Sequence, residues 1–373
     1  MKFVISRTQL LNALNIVSRA VSQKNPRSIL TGIKFEMNKN GLFLTGSDSD
    51  ISIVTKIPLE ENKETIINVF EEGIIVLSAK YITDIVRKLE SDQISFETIE
   101  ENVVKIKDTV SDFNLICMVS SDYPLIDVGT NGDNLNLATA DLKGIIDQTT
   151  FAASDKETRP ILTGVNFKAS GKVLECVATD SYRLARKIVN LGSDANFNVT
   201  VPAKTLNEVA RIIENEPNVS ISISEKKVVF KCNRTLVLTR VISGAYPDTS
   251  KLVPTTFEDT LNTLASNFVS SIDRASLLSV DRSNIVKLLL TTENVEISSK
   301  SQEIGSVVEK ISTYRYEGER LEISFTARYV VDAIRAIGSN EITILFNGDM
   351  KPFIIKNKED SSVIQLVLPV RTY

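Results

Sequence analysis

LSAKYITDIVRKL at residues 77–89 returns as VPAKTLNEVARII at 201–213 and as FTARYVVDAIRAI at 325–337. Each copy therefore begins 124 residues after the previous one. Apolar side chains occupy matching places, for example Ile82, Leu206 and Val330. Agreement in pattern, spacing and order over this length indicates tandem copies of one folding unit.

The sequence before each of these stretches repeats as well. SILTGIKF (28–35) returns as PILTGVNF (160–167), and at the same spacing of 132 residues GLFLTGSD (41–48) matches VLECVATD (173–180). A weaker third copy reads NIVKLLL at 284–290 and continues as VEISSKS at 295–301. The first two units also end alike, in SDYPLI (121–126) and GAYPDT (244–249). We therefore predict three tandem domains, at residues 1–128, 129–252 and 253–373.

Each unit combines helical and strand patterns. A first helix is predicted at roughly Thr8–Ser22, where apolar residues line one face. The second helices are predicted at 79–90, 203–214 and 327–338, with Ser78 and Thr326 at N-cap positions. Segments such as 103–108 and 219–223 alternate with a period of two and predict strands. The expected fold class is α+β, with antiparallel sheets on one side of each domain and two helices on the other.

Composition argues against several functional classes. The chain has 373 residues, a net charge of −4 and no histidine, so Ser–His and Cys–His nucleophile pairs are excluded. It contains no P-loop, dinucleotide-binding or paired-cysteine metal motif, and we expect no cofactor and no catalysis. Cys117, Cys176 and Cys232 are odd in number and lie in apolar contexts, which favours reduced core residues. Neither a signal peptide nor an apolar run of membrane-spanning length is present, so we expect a cytoplasmic protein.

A basic residue recurs at the start of the second helix, as Lys80, Lys204 and Arg328. A cation at this end opposes the helix dipole and costs about 0.3–1 kcal/mol. Each residue alone could be an ordinary solvated cation whose stem covers apolar surface. A basic residue at this unfavourable position in all three copies indicates instead that the three cations belong to one functional surface. Such a surface would hold nucleic-acid phosphates without reading sequence.

From end to end, the chain resembles the family of bacterial beta sliding clamps, which are the beta subunit and processivity factor of DNA polymerase III. The resemblance rests on MKFVISRTQLLNALNIVS (1–18), VATDSYRLA (177–185), AYPDTSKLVP (245–254) and LVLPVR (366–371). It implies a ring-shaped, head-to-tail homodimer that encircles double-stranded DNA. It further implies that replicative polymerase, clamp loader and repair proteins bind through short linear peptides.

The resemblance also implies which residues act. The partner-peptide cleft would comprise Leu162, Thr179, Tyr182, Arg183, Leu184, Pro247, Met350, Pro352, Val367, Leu368, Pro369, Val370 and Arg371. DNA would be contacted by Lys24 and Lys156 at the mouth of the pore, together with the recurring Lys80, Lys204 and Arg328. At the dimer interface, Phe113 and Leu115 would pack against Leu277 and Leu278.

The resemblance leaves the ion pairs at the dimer interface open. Asp112 occupies a place where the family commonly has a basic residue, so pairing of Lys105 or Lys107 with Glu303 or Glu309 is only a guess. Phe113 and Leu115 have an alternative interpretation as internal core residues, as do Leu162, Leu184 and Val367.

Two other functions are compatible with parts of the sequence. One is a non-enzymatic modular binding protein of three tandem domains, for which a secretion signal would be expected. The other is an enzyme that uses Asp180 or Asp248 as catalytic carboxylates. Both aspartates lie in turn-like contexts, TDS and PDT, where aspartate commonly caps a turn.

Overall fold

The computed structural model of the chain describes residues 1–100, 102–129, 132–213, 216–279 and 284–371. These residues contain six α-helices: α1 (Arg7–Val17), α2 (Ala79–Lys88), α3 (Thr139–Thr149), α4 (Ala203–Ile212), α5 (Ala265–Ser276) and α6 (Ala327–Ile337). Two helices fall in each of the three repeats, as the sequence predicts.

The strands also recur in three groups. The first group is β1 (Lys2–Ser6), β2 (Gly32–Asn38), β3 (Gly41–Ser47), β4 (Ile51–Ile57), β5 (Glu60–Glu61), β6 (Glu64–Thr65), β7 (Ile67–Glu71), β8 (Gly73–Ser78), β9 (Gln93–Glu100), β10 (Val103–Lys107) and β11 (Asp112–Ile116). The second is β12 (Asp133–Ala138), β13 (Gly164–Thr179), β14 (Arg183–Pro202), β15 (Asn218–Ile223), β16 (Lys227–Cys232) and β17 (Thr235–Arg240). The third is β18 (Asp259–Leu264), β19 (Ile285–Leu290), β20 (Val295–Ser301), β21 (Gly305–Lys310), β22 (Tyr314–Glu317), β23 (Leu321–Thr326), β24 (Glu341–Phe346), β25 (Phe353–Lys356) and β26 (Val363–Val367).

One compact unit comprises Met1–Thr139 and Glu208–Val241. It contains a five-stranded sheet in the order β11-β10-β9-β1-β7 and an eight-stranded sheet in the order β12-β15-β16-β17-β4-β3-β2-β8. Strands of the second repeat thus extend a sheet of the first, through antiparallel pairing of β17 with β4.

The other compact unit comprises Ala140–Asn207 and Ile242–Tyr373. Its sheets have the orders β13-β14-β26-β25-β24-β18-β22 and β21-β20-β19-β23. Here β14 of the second repeat pairs with β26 of the third. Because the second repeat contributes strands to both units, the boundaries near residues 128 and 252 stay predictions.

Aromatic side chains fill the cores of the first and third repeats. Phe3 stacks on Phe96 with 4.9 Å between ring centroids, and Phe325 lies 5.6 Å from Phe353. All four rings are almost completely buried. Alternate residues of the flanking strands point into these cores, which explains the two-residue period of the sequence.

Several details differ from the sequence predictions, including α2 and α6, which end at Lys88 and Ile337, one or two residues before their predicted ends. Helix α1 ends at Val17 rather than near Ser22, because residues 18–20 tighten into a 3₁₀ turn and Val21 is extended. Ser78 and Thr326 do occupy N-cap positions, but neither side chain makes a capping hydrogen bond. Helix α4 ends at Ile212, and residue 214 of its predicted range lies outside the described residues.

All three cysteines are free thiols. Cys176 and Cys232 are buried, whereas Cys117 is only half-buried. In the described part of the chain, no helix has the length and apolar character needed to span a membrane.

Candidate functional site

The pairing of β26 with β14 brings two of the predicted cleft segments together. Arg183 lies opposite Val367 in the antiparallel ladder. Just beyond the strand, the backbone N–H of Leu368 donates to the carbonyl oxygen of Tyr182 at 2.9 Å. Residues 182–184 and 367–368, far apart in the sequence, are therefore neighbours.

Arg183 is a buried cation with partners on several elements. Its Nε donates to Asp180 Oδ2 at 3.0 Å and its Nη1 donates to Asp332 Oδ2 at 2.8 Å. The guanidinium carbon lies 5.2 Å from the ring centroid of Phe151 and 4.6 Å from that of Tyr329. Since a buried charge is tolerated only when it is paired, these contacts hold Arg183 in place, and its contact with partner peptides stays a prediction.

Tyr182 points outward beside this network. Its side chain is 59% exposed and stacks on Tyr329, with 6.3 Å between ring centroids. The preceding turn is fixed by Asp180, whose Oδ1 accepts the backbone N–H groups of Tyr182 and Arg183 at 2.9 and 3.0 Å. The result is a fixed, exposed aromatic surface.

A small apolar cluster lies on the same sheet. Val177, Leu184 and Leu366 form its buried centre. Tyr246, Val253 and Leu368 are partly buried and pack against that centre. Of the predicted cleft residues, this cluster contains Leu184 and Leu368.

The remaining predicted cleft residues vary in exposure. Thr179 is buried, and its Oγ1 donates to the carbonyl oxygen of Arg183 at 2.6 Å. Leu162 is buried, Pro352, Pro369 and Val370 are half-buried, and Pro247, Met350 and Arg371 are exposed. Val367 belongs to the core cluster of the third repeat, in agreement with its alternative interpretation as a core residue.

Three partners of Arg183 on other elements, Tyr329, Asp332 and Phe151, do not appear among the predicted cleft residues, and neither do Val177, Leu366, Tyr246 and Val253 of the apolar cluster. Tyr329 and Asp332 lie on α6, and the only sequence signal for them is a polar or aromatic residue on the hydrophilic face of an amphipathic helix. Phe151 lies in a 3₁₀ turn after α3 and carries no such signal.

The cations predicted to contact DNA all have exposed side chains. Lys24, Lys80, Lys156 and Lys204 are exposed. Arg328 is also exposed, and its Nε lies 3.6 Å from Asp332 Oδ2. Several arginines on or beside the helices are paired within the chain, namely Arg19 and Arg211 with Glu208, Arg87 with Asp84, Arg274 with Glu309, and Arg335 with Asp273.

The four residues predicted at the dimer interface lie in two places. Phe113 is on β11 and is 37% exposed, and Leu277 follows α5 and is 77% exposed. Leu115 and Leu278 are half-buried. Within the chain, Lys105 pairs with Asp112 at 3.0 Å and Glu309 pairs with Arg274 at 2.7 Å. The guessed pairs across the interface would have to compete with these contacts.

The two aspartates considered as catalytic carboxylates are turn residues. Asp180 organises the turn before β14, and Asp248 Oδ1 accepts the backbone N–H of Ser250 at 3.0 Å. Among the described residues, no group of three or more histidine, cysteine, aspartate or glutamate side chains could hold a metal ion.

Comparison with known proteins agrees along the entire chain. Residues 1–127, 136–248 and 250–371 match the profiles of the N-terminal, central and C-terminal domains of the DNA polymerase III beta subunit. A beta sliding clamp of Bacillus subtilis is 41% identical over 378 residues, with both chains fully covered.

Solved structures give the same result. The sliding clamp of Bacillus subtilis superposes with a TM-score of 0.96 at 40% identity, and the DNA polymerase III beta chain of Streptococcus pneumoniae with 0.96 at 35%, both over the full length of both chains. The three-domain α+β architecture predicted from the repeats and the clamp fold implied by the resemblance are both confirmed. The chain belongs to the bacterial DNA polymerase III beta subunit family, the beta sliding clamps.

Proposed function

We propose that two copies of this chain close head to tail into a ring around duplex DNA, and that a cleft beside Tyr182 tethers partner proteins to that ring. Membership of the family makes the chain a non-catalytic processivity subunit that serves DNA polymerase III in replication. The observation that carries the ring is a strand junction that is formed twice within the chain.

Both junctions pair five residues of two antiparallel strands, starting at the first residue of the later strand. Thr55 of β4 lies opposite Thr235 of β17, and Lys187 of β14 lies opposite Val363 of β26. Thr55 and Lys187 are 132 residues apart, which is the spacing of the sequence copies at 41–48 and 173–180. Equivalent strands therefore meet in equivalent ways at both places.

Each junction joins a strand like β4 or β14 to a strand like β17 or β26, and among the described residues one further strand of each kind lies unpaired on one side, at a sheet edge. β11 follows β10 as β17 follows β16 and β26 follows β25, and it is the outermost strand of the five-stranded sheet. β21 follows β20 as β4 follows β3, and it is the outermost strand of the four-stranded sheet. By this equivalence, the partner for β11 of one copy is β21 of another.

Exposed apolar side chains support pairing at these edges. Ile116 at the end of β11 is 77% exposed and Val308 on β21 is 59% exposed. Uncovered edges of this kind invite association. Because the two edges differ, the contact is heterologous, and a ring results when the rotation between copies closes.

The exposed lysines fit the DNA-binding part of the proposal. Lysine contacts phosphate as a flexible point charge without fixed geometry, so it supports contacts that carry no sequence information and permit sliding. Lys24, Lys80, Lys156 and Lys204, with Arg328, are the residues proposed to face the duplex.

The cleft is proposed to take short peptides from the replicative polymerase, the clamp loader and repair proteins. Exposed Tyr182 and Met350, together with the apolar cluster around Leu184, offer aromatic and flexible apolar contacts of the kind used in peptide recognition. The half-buried residues Leu368, Pro369 and Val370 supply an adjacent segment.

Light scattering across a dilution series tests the ring. The proposal predicts a mass near twice 41.2 kDa that persists on dilution. A strict monomer at every concentration would contradict ring closure by the free protein, while leaving the peptide cleft to be tested separately.

A further inference from the structure

A cavity of about 210 Å³ lies where the end of α1 meets the start of α2 in the first repeat. Its walls include Ser18 and Gln23 from the α1 side and Lys80, Thr83 and Asp84 from α2. We refer to this cavity as the α1–α2 notch. It is separate from the cleft beside Tyr182.

Two hydroxyl groups of the notch have unmet hydrogen-bonding capacity. Thr83 is only 8% exposed, and among the described residues neither its Oγ1 nor the shielded Oγ of Ser18 has a hydrogen-bond partner. A buried hydroxyl without a partner is a net cost to folding, so each calls for a physical explanation. Both residues border the notch.

The charge around the notch favours an anion. The first turn of α2 contains no acidic residue, and the Ser78 side chain leaves its N-terminal N–H groups uncapped. Lys80 adds a full positive charge at this positive end of the helix dipole. The carboxylate of Asp84, which also borders the notch, accepts a hydrogen bond from Arg87 Nη1 at 3.1 Å and is offset by that charge.

We propose that the α1–α2 notch holds one backbone phosphate of duplex DNA. The phosphate charge faces Lys80 and the N-terminus of α2, and the hydroxyls of Ser18 and Thr83 donate to its oxygens. Such an anion relieves the repulsion between Lys80 and the helix dipole and gives both hydroxyls an acceptor. This assignment rests on the proposed function, because a duplex must pass the helical surface for its phosphate to reach the notch.

Two substitutions distinguish phosphate binding in the notch from non-specific electrostatic attraction of DNA. Thr83→Val removes the hydroxyl without changing charge or size, and Lys80→Gln removes the cation. Lys88→Gln is the matched control, since Lys88 is exposed on the same helix outside the notch. Binding of a short fluorescein-labelled duplex is measured by anisotropy across a range of NaCl concentrations.

We expect Thr83→Val to bind about three- to tenfold more weakly. Lys80→Gln should lower the slope of log K against log [salt] by about 1. In the Lys80→Gln background, Thr83→Val should cause no further loss. Thr83→Ser, which keeps the hydroxyl, should bind like the wild type, and the urea unfolding midpoint of Thr83→Val should be unchanged or higher.

Wild-type affinity in Thr83→Val would overturn the notch assignment whatever Lys80→Gln shows, and DNA binding by the wild type would then still support the proposed clamp. Loss of affinity in Thr83→Ser equal to that in Thr83→Val would likewise overturn it. Absence of any DNA affinity in the wild-type ring would overturn both the assignment and the proposed function.

Discussion

The guanidinium carbon of Arg183 lies 4.6 Å from the ring centroid of Tyr329, and this contact joins a strand of the second repeat to a helix of the third. Tyr182 stacks on the same ring. The buried cation thus holds Tyr329, and Tyr329 in turn supports the exposed aromatic surface proposed to receive partner peptides. We therefore expect Arg183 to position Tyr329, in addition to the contact with partner peptides that the resemblance implies.

Arg183→Ala should destabilise the protein by about 2–4 kcal/mol, because it leaves the carboxylates of Asp180 and Asp332 without their buried partner. The urea unfolding midpoint measures this loss. Arg186→Ala is the control on the same strand, because the half-buried Arg186 lies 3.8 Å from Glu175 and should contribute less than about 1 kcal/mol. Equal effects of the two substitutions would contradict the role given to Arg183.

Tyr182→Ala should weaken binding of a short polymerase-derived peptide about tenfold or more, because aromatic side chains often dominate such contacts. Folding should be little affected, since the ring is 59% exposed. Tyr81→Ala removes an equally exposed tyrosine, also 59%, from α2 and serves as the control. Fluorescence polarisation of a labelled peptide gives both affinities. Full peptide affinity in Tyr182→Ala would remove Tyr182 from the cleft.

Leu277→Asp should convert the dimer to monomers, because a buried unpaired carboxylate is not tolerated at an apolar contact. The side chain is 77% exposed within one chain, so the monomer should remain folded. Leu125→Asp changes a leucine that is 93% exposed and belongs to neither β11 nor β21, and it should remain dimeric. Light scattering distinguishes these states. A persistent dimer in Leu277→Asp would place the interface elsewhere.

Substituting Lys24 and Lys156 together by glutamine should lower the salt slope of DNA binding by about 2, since each lost phosphate contact removes about one released counterion. The control replaces Lys63 and Lys251, which are exposed but not among the residues proposed to face DNA. Binding to duplex DNA is measured as a function of NaCl. An unchanged slope would exclude contacts by Lys24 and Lys156.

The repeats explain why so much of the fold is predictable. Apolar residues at Ile82, Leu206 and Val330 keep one helical face buried in every copy, so three helices follow from one pattern. Local backbone detail was harder to predict, since the 3₁₀ turn that ends α1 before Val21 leaves no clear mark in composition. N-cap positions were correct at Ser78 and Thr326, but the expected side-chain bonds are absent.

The site was less predictable because its contacts are long-range. Arg183 meets Asp332 and Arg19 meets Glu208 only after folding, so no sequence window shows that these charges are neutralised. Tyr329 was missed for the same reason. Val367 is adjacent to Leu368 in sequence, yet the strand alternation turns Val367 into the core and leaves Leu368 against the apolar cluster.

The most direct test of the account measures retention of the loaded clamp on circular and linearised DNA. The protein is loaded onto a nicked circular duplex by the organism's own clamp loader, and the complex is isolated by gel filtration at elevated salt, which suppresses simple electrostatic binding. A closed ring predicts stable retention on the circle and rapid loss once a restriction enzyme cuts it. Equal retention on circular and linear DNA would show that the protein holds DNA without encircling it, and would contradict the central claim.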